Sequence, residues 1–258
     1  MKVTLVASTS VDPLLLATSS SDDPPWSPQL EGYRCHPRTP FDCVADADEL
    51  AEFAGRACYQ SWNRPNPKTA TNEGYLANIL DHEHFSVLEH ASATFYIEGV
   101  SRSLTHELIR HRHLSFSQLS QRYVDESESE MVKPPAVSEV DNLGGELSRK
   151  FYQATESAIH TYNHLVSCIE GAGFSRKQAR EAARSVLPNA TETKIVVTGN
   201  MRTWREVLLK RGSQHADAEI RQLALKLFEE LKSIAPNSFQ DLETTEVSGV
   251  LTIKRKGN

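Results

Sequence analysis

The sequence predicts an α+β protein: a single helix-rich domain with a small antiparallel or mixed sheet. Three observations carry that expectation. A short apolar segment opens the chain, a later segment alternates apolar and polar residues with period two, and most of the remainder repeats apolar residues at helical spacing. With 258 residues, 39% hydrophobic and 24% charged, residues 1–258 are expected to build one core and one domain.

Residues 2–7 read as a strand. Residues 18–40 collect five of the twelve prolines with Ser and Asp, which predicts an irregular surface segment. From Asp48, taken as a cap, Leu50, Phe53, Ala54, Ala57 and Cys58 recur at helical spacing. Asn72 starts a second helix through Leu80. Residues 91–98 alternate Ala91, Ala93, Phe95 and Ile97 with mostly polar neighbours, the pattern of a half-buried strand, with Gly99 as its end. Ser101 can cap a helix running to about His111. The acidic, Pro- and Gly-containing stretch 125–146 reads as a second irregular surface segment.

Leu147, Phe151, Ala154, Ala158, Tyr162, Leu165 and Ile169 keep step for a long amphipathic helix stopped by Gly171 and Gly173. Ser175 and Gln178 form a capping box for the next helix, which must end before Pro188. Thr191–Thr198 is β-rich, 201–211 helical, and Ala216–Ala235 a long amphipathic helix stopped by Pro236. No motif marks the first 45 residues or the tail after Pro236.

Charge and composition narrow the function classes. A formal charge of −6 argues against binding nucleic acid through bulk charge, so any anion must be met by a local cluster. No apolar run approaches the roughly 18 residues of a membrane span, and Met1–Ser8 is too short for a secretory h-region with its cleavage site. A soluble, cytoplasmic protein without membrane partners is the expectation. Cys35, Cys43, Cys58 and Cys168 form no C-x-x-C pair and no disulfide framework; Cys58 and Cys168, on or beside apolar stripes, read as packed small residues.

The densest polar cluster is Arg110–Tyr123, with three arginines, two histidines and three serines in fourteen residues. Guanidinium forks take phosphate bidentately, and hydroxyls and amides fix a sugar or base, so the stretch suits a phosphorylated ligand; a solvated basic loop is the plainer reading. Arg176, Arg180 and Arg184 recur every four residues, so they share a helix face and can converge on one anion or form salt bridges. Asn200, Arg202, Glu206, Arg211 and His215 make a third cluster, in which Arg211 near a helix end is also favoured by the helix dipole. His106-Glu107 lacks the second histidine of H-E-x-x-H, because position 110 is Arg110. The group of His82, His84 and His90 matches no metal spacing, and no metal is expected.

These residues carry a family resemblance. Arg110-His111-Arg112, seven residues, then Ser120 resembles the R-H-R-x7-S signature of flavin-dependent thymidylate synthases, extended by Arg122-Tyr123. His84-Phe85-Ser86 with Glu89-His90, Arg184 with Leu187-Pro188, Asn200-x-Arg202 and Arg211-x3-His215 resemble that family's other blocks in order, over roughly residues 50–235. The resemblance implies that family's fold and reductive methylation of dUMP to dTMP. The cofactor it implies is FAD, with NADPH and 5,10-methylenetetrahydrofolate as co-substrates. It implies FAD contacts from Ser86, Arg110, His111, Arg112, Gln118, Asn200, Arg202, Glu206 and His215. It implies dUMP contacts from Glu107, Arg110, Gln118, Ser120, Arg122, Arg184 and Arg211, with Arg122 and Arg184 on the phosphate and Arg211 catalytic against charge developing on uracil. His84 and Tyr123 are folate-side candidates. A homotetramer with shared sites is also implied. The alternative from another class is an RNA-binding module using the 110–123 stretch, with Phe116 and Tyr123 as stacking platforms.

Overall fold

The computed structural model describes residues 1–11, 44–61, 66–141 and 145–257, and it has the predicted α+β, helix-rich character. The proline-rich segment 18–40, Cys35 and Cys43 lie outside the described residues. Strands β1 (Lys2–Ser8), β2 (Ser92–Ser101), β3 (Ser115–Gln118) and β4 (Glu192–Asn200) form one sheet in the order β1-β2-β4-β3. Alternation is clean in β4, which buries Thr193, Ile195 and Val197, and in β2, which buries Ala93, Phe95 and Ile97. Among the described residues the helices are α1 (Asp46–Tyr59), α2 (Asn72–Asp81), α3 (Arg102–Leu108), α4 (Pro135–Asp141), α5 (Glu146–Gly171), α6 (Arg176–Ala183), α7 (Met201–Arg211) and α8 (Ala218–Ile234).

The described residues divide into two compact units. The first comprises Met1–Thr4, Phe95–Val197 and His215–Leu223. Here Ser101 accepts the Leu104 N–H at 3.0 Å, as a cap should, but α3 stops at Leu108, three residues short of the predicted end. Gly99 does not end β2. It kinks the strand at φ 67°, and a Cβ there would lie 2.9 Å from the Met1 nitrogen, so glycine is needed for both angle and space. Ser175 and Gln178 form the predicted capping box of α6. The 125–146 stretch is not wholly irregular, since α4 begins at Pro135, a residue suited to a helix N-terminus. On α5 only Thr155 and Tyr162 are buried; Phe151, Ala158, Leu165 and Ile169 are half-buried and Leu147 is 43% exposed, so the described residues cover the predicted stripe only in part.

The second unit comprises Leu5–Thr94, Thr198–Gln214 and Ala224–Asn258. Its helix α1 corrects the sequence reading. The buried face is not the apolar stripe but Asp48, Glu49, Glu52 and Arg56 with small residues. Those charges survive burial because each is bonded: Arg56 Nε to Glu52 at 2.6 Å, Asn72 Nδ2 to Glu52 at 2.8 Å, and Asp48 Oδ1 to the Ser238 N–H at 2.9 Å. Asp48 therefore lies inside the helix, whose N-cap is Ala45, and burial still pushes its carboxyl above the ordinary range. Cys58, on the opposite side, is exposed, and so is Cys168 on α5; neither is the packed small residue expected. The C-terminal tail, read as motif-free, forms an antiparallel hairpin of β5 (Leu242–Val247) and β6 (Val250–Arg255), turned by Ser248 and Gly249 at φ 53° and 79°.

Candidate active site

In the first unit, the predicted residues gather on the segments that follow α3. Glu107 is half-buried in the last turn of the helix; Arg110 and Arg112 are exposed just beyond it, with His111 buried between them. Gln118 ends β3, and its side-chain nitrogen donates to Thr105 Oγ1 at 3.2 Å and Thr193 Oγ1 at 3.3 Å. With both amide protons directed at threonines, Gln118 offers a ligand its amide oxygen. The Ser120 carbonyl then accepts the N–H groups of Tyr123 and Val124, at 3.1 and 3.0 Å, closing a turn that projects Arg122 to solvent. The Arg122 guanidinium lies 5.6 Å from the Tyr123 ring centroid, and Lys177 Nζ lies 5.3 Å from it.

The three α6 arginines do not all converge on one anion. Arg176 pairs with Glu170 at 3.2 Å. Arg180 donates to the Tyr123 carbonyl at 2.7 Å and to Asp125 at 2.6 Å, bracing the turn. Hydrogen bonds from Ser127 and Arg180 hold Asp125 below the usual carboxylate range, although burial pushes the other way. Arg184, which caps α6, is exposed and near enough to Arg102 to disfavour its charge.

The sequence pattern does not single out Arg102, Gln121 or Glu126. Among the described residues, four buried side-chain atoms have no hydrogen-bond partner: Arg102 Nη1, Gln121 Nε2, Arg180 Nε and Glu126 Oε1. All four lie in the first unit, and three are donors. An unsatisfied buried donor costs about 1–3 kcal/mol, so each of these donors favours a partner that accepts hydrogen bonds. Burial lowers the Arg102 guanidinium's proton affinity, Glu126 opposing and Arg184 adding to the effect. Burial also raises the Glu126 carboxyl, against its bond from Ser129 and the charge of Arg102. The only signals in the sequence were the polarity of Gln121 beside Ser120 and an arginine after the Ser101 cap, neither specific.

A cavity of about 670 Å³ in this unit is lined by Glu98, Glu126, Glu130, Glu192, Lys2 and Lys194, among others, and by none of the predicted site residues. Its excess of carboxylates disfavours an anionic nucleotide. His215, also of the first unit, is exposed.

In the second unit, Ser86 stands exposed in the 3-10 turn Phe85–Glu89, with His84 as the residue before it. Asn200 caps α7, its Oδ1 accepting the Thr203 N–H at 2.8 Å. Arg202 Nη1 reaches Glu89 at 2.5 Å, which ties the start of α7 to the Ser86 turn. Asn200 and Arg202 thus stand at the start of a helix that is tied to the turn carrying Ser86. Glu206 pairs with Lys210 at 2.8 Å on the exposed face of α7, and Arg211, half-buried, is its final residue. Among the described residues no group of three or more His, Cys, Asp or Glu is arranged to hold a metal ion, and no helix is long and apolar enough to cross a membrane.

Residues 41–237 match the family model described as thymidylate synthase complementing protein. The chain is 54% identical over 220 residues to a flavin-dependent thymidylate synthase of Mycobacterium bovis, spanning 82% of this chain and 86% of that one. It is 53% identical to the Mycobacterium marinum protein of the same description over the same shares. With the Mycolicibacterium vanbaalenii protein, also so described, identity is 48% over 250 residues, 94% of this chain and 90% of that one.

Proposed function

The chain belongs to the flavin-dependent thymidylate synthase family, and from that premise we propose how its residues divide the work of the reaction. The reaction is the methylation of dUMP to dTMP, with FAD as cofactor and NADPH and 5,10-methylenetetrahydrofolate as co-substrates. FAD, when bound, supplies the hydride chemistry that no side chain can perform. Nothing in the family membership favours RNA binding by the 110–123 stretch.

The FAD contacts are Ser86, Arg110, His111, Arg112, Gln118, Asn200, Arg202, Glu206 and His215. Guanidinium, imidazole, amide and hydroxyl groups, most of them exposed, suit the diphosphate and sugars of an anionic dinucleotide. Glu107, Arg110, Gln118, Ser120, Arg122, Arg184 and Arg211 hold dUMP. Arg122 and Arg184 take the phosphate, with Arg102, which lies near Arg184, as a further guanidinium. Ser120 and the amide oxygen of Gln118 orient the nucleotide. Arg211 lies against the pyrimidine edge, where its fixed charge stabilises the negative charge that grows as C5 becomes nucleophilic. Residues 1–258 act as one synthase domain in the cytoplasm, as a homotetramer whose subunits share sites.

The observation that supports this reading is the buried, unpartnered Arg102 Nη1, whose guanidinium lies close enough to Arg184 to feel its charge, with the unpartnered Gln121 Nε2 next to Arg122 in the chain. The experiment is a titration of the yellow holoenzyme with dUMP and with deoxyuridine. Saturating dUMP is expected to perturb the flavin spectrum and to bind far more tightly than deoxyuridine. An unchanged spectrum, or equal affinity for the two, contradicts it.

A further inference from the structure

Strand β6 lies past residue 237, where the match to the family model ends, yet it reaches both functional segments of the second unit. Ile253 donates its backbone N–H to the Gly212 carbonyl at 2.8 Å. Its side chain fills the place of a Gly212 Cβ, which would lie 2.8 Å from both Ile253 Cβ and Cδ1 and 2.5 Å from the Leu208 carbonyl. Gly212 has φ −82°, an angle any residue adopts, so close approach rather than backbone conformation demands glycine directly after Arg211.

Arg255, two residues along the same face of the strand, serves the other segment. Its Nη1 donates to Glu83 at 2.8 Å, and its guanidinium carbon lies 5.5 Å from the Phe85 ring centroid. Arg205 of α7 lies 5.4 Å from the same ring while donating to both Asp241 oxygens at 2.7 Å. Phe85 is therefore packed by two guanidinium groups, one from α7 and one from β6, and the next residue is Ser86. The Arg255 side chain is 34% exposed and Glu83 is 63% exposed, so this ion pair adds little to global stability.

We propose that β6 is a positioning strand: Arg255 holds the Glu83–Ser86 turn and Ile253 holds the end of α7 that carries Arg211, so one strand sets the relation of the two. This rests on Ser86 contacting FAD and Arg211 acting on uracil. Arg255 and Ile253 act through the residues they hold.

The test compares wild-type, Arg255→Ala, Arg255→Lys and Ser86→Ala holoenzymes. Arg255→Ala is expected to speed amide hydrogen exchange across residues 83–89 and to weaken FAD about three- to tenfold, the scale of one exposed cation–π and ion-pair contact, with the melting temperature nearly unchanged. Arg255→Lys, which keeps the charge without the planar stack, should fall between. If Ser86→Ala weakens FAD while Arg255→Ala changes neither exchange nor affinity, the positioning role is overturned. If Ser86→Ala leaves FAD affinity intact, the assignment of Ser86 fails, and faster exchange in Arg255→Ala still supports the clamp. For the other end of the strand, Gly212→Ala is expected to slow dTMP formation by pre-reduced enzyme about ten- to a hundredfold, the scale of misplacing a catalytic group. Normal turnover there overturns the Ile253 contact's role.

Discussion

Replacing Arg102 by methionine distinguishes a phosphate-binding arginine from one that only supports the fold. In the free protein its buried Nη1 has no hydrogen-bond partner, a cost of about 1–3 kcal/mol, and Arg184 further disfavours its charge. Methionine removes that cost and keeps the apolar stem. It also removes the cation facing Glu126, whose carboxyl burial already drives toward the neutral form. These effects offset one another, so the melting temperature should move by only a few degrees. Binding of dUMP loses a charge-assisted hydrogen bond of about 1.5–3 kcal/mol, a rise in Kd of about ten- to 150-fold at 1.4 kcal/mol per decade. Calorimetric titration with dUMP and deoxyuridine at one fixed salt concentration reads this directly. Deoxyuridine affinity should hardly change. Equal losses for the two ligands, or a much less stable protein that still binds dUMP normally, would refute the assignment.

Arg122→Ala and Arg184→Ala should each raise KM for dUMP by about one to two orders of magnitude with little change in kcat, because a phosphate contact is present in ground and transition states alike; an unchanged KM would remove that arginine from the phosphate. Arg211→Ala should lower kcat by about two to three orders of magnitude while NADPH still bleaches the flavin, and Arg211→Lys, without the planar fork, should also be badly impaired. Near-normal dTMP formation by the pre-reduced mutant makes Arg211 a structural helix-end cation. Glu126 supplies a pH prediction. Its folded pKa lies above the unfolded value, so its contribution favours the fold below the unfolded pKa and is lost as pH rises through the folded one. Glu126→Gln should therefore gain stability relative to wild type between about pH 4.5, near the ordinary glutamate value, and pH 7; a difference that stays constant in denaturant titrations across that range contradicts the shift.

Features written in local sequence were legible. Ser175 with Gln178, Ser101 before Leu104, and the alternation of β2 and β4 depend on residues a few positions apart, and each is found as expected. Helix α1 was misread because its buried charges are satisfied at a distance: Asp48 meets Asn237 and Ser238, some 190 residues away. Periodicity registers the apolar stripe and is blind to such partners. Likewise, α5 has a clear stripe that the described residues cover only in part. The hairpin left a weaker trace, since Leu242–Val247 and Val250–Arg255 flank a two-residue Ser-Gly pair, which marks a turn without specifying a hairpin. At the site, the arginine-rich signature named Arg110–Tyr123 from residue types and spacing alone. Arg102, Gln121 and the bracing role of Arg180 depend on burial, which no spacing reports.

The central claim is that this chain makes dTMP through a bound flavin, and the half-reactions test it most directly. Purified protein loaded with FAD is reduced anaerobically with NADPH, freed of nicotinamide, and mixed with dUMP and 5,10-methylenetetrahydrofolate. The account predicts bleaching in the first step, then return of the yellow colour with one dTMP formed per flavin reoxidised. Reoxidation without dTMP, or dTMP formed by protein stripped of FAD, would contradict it.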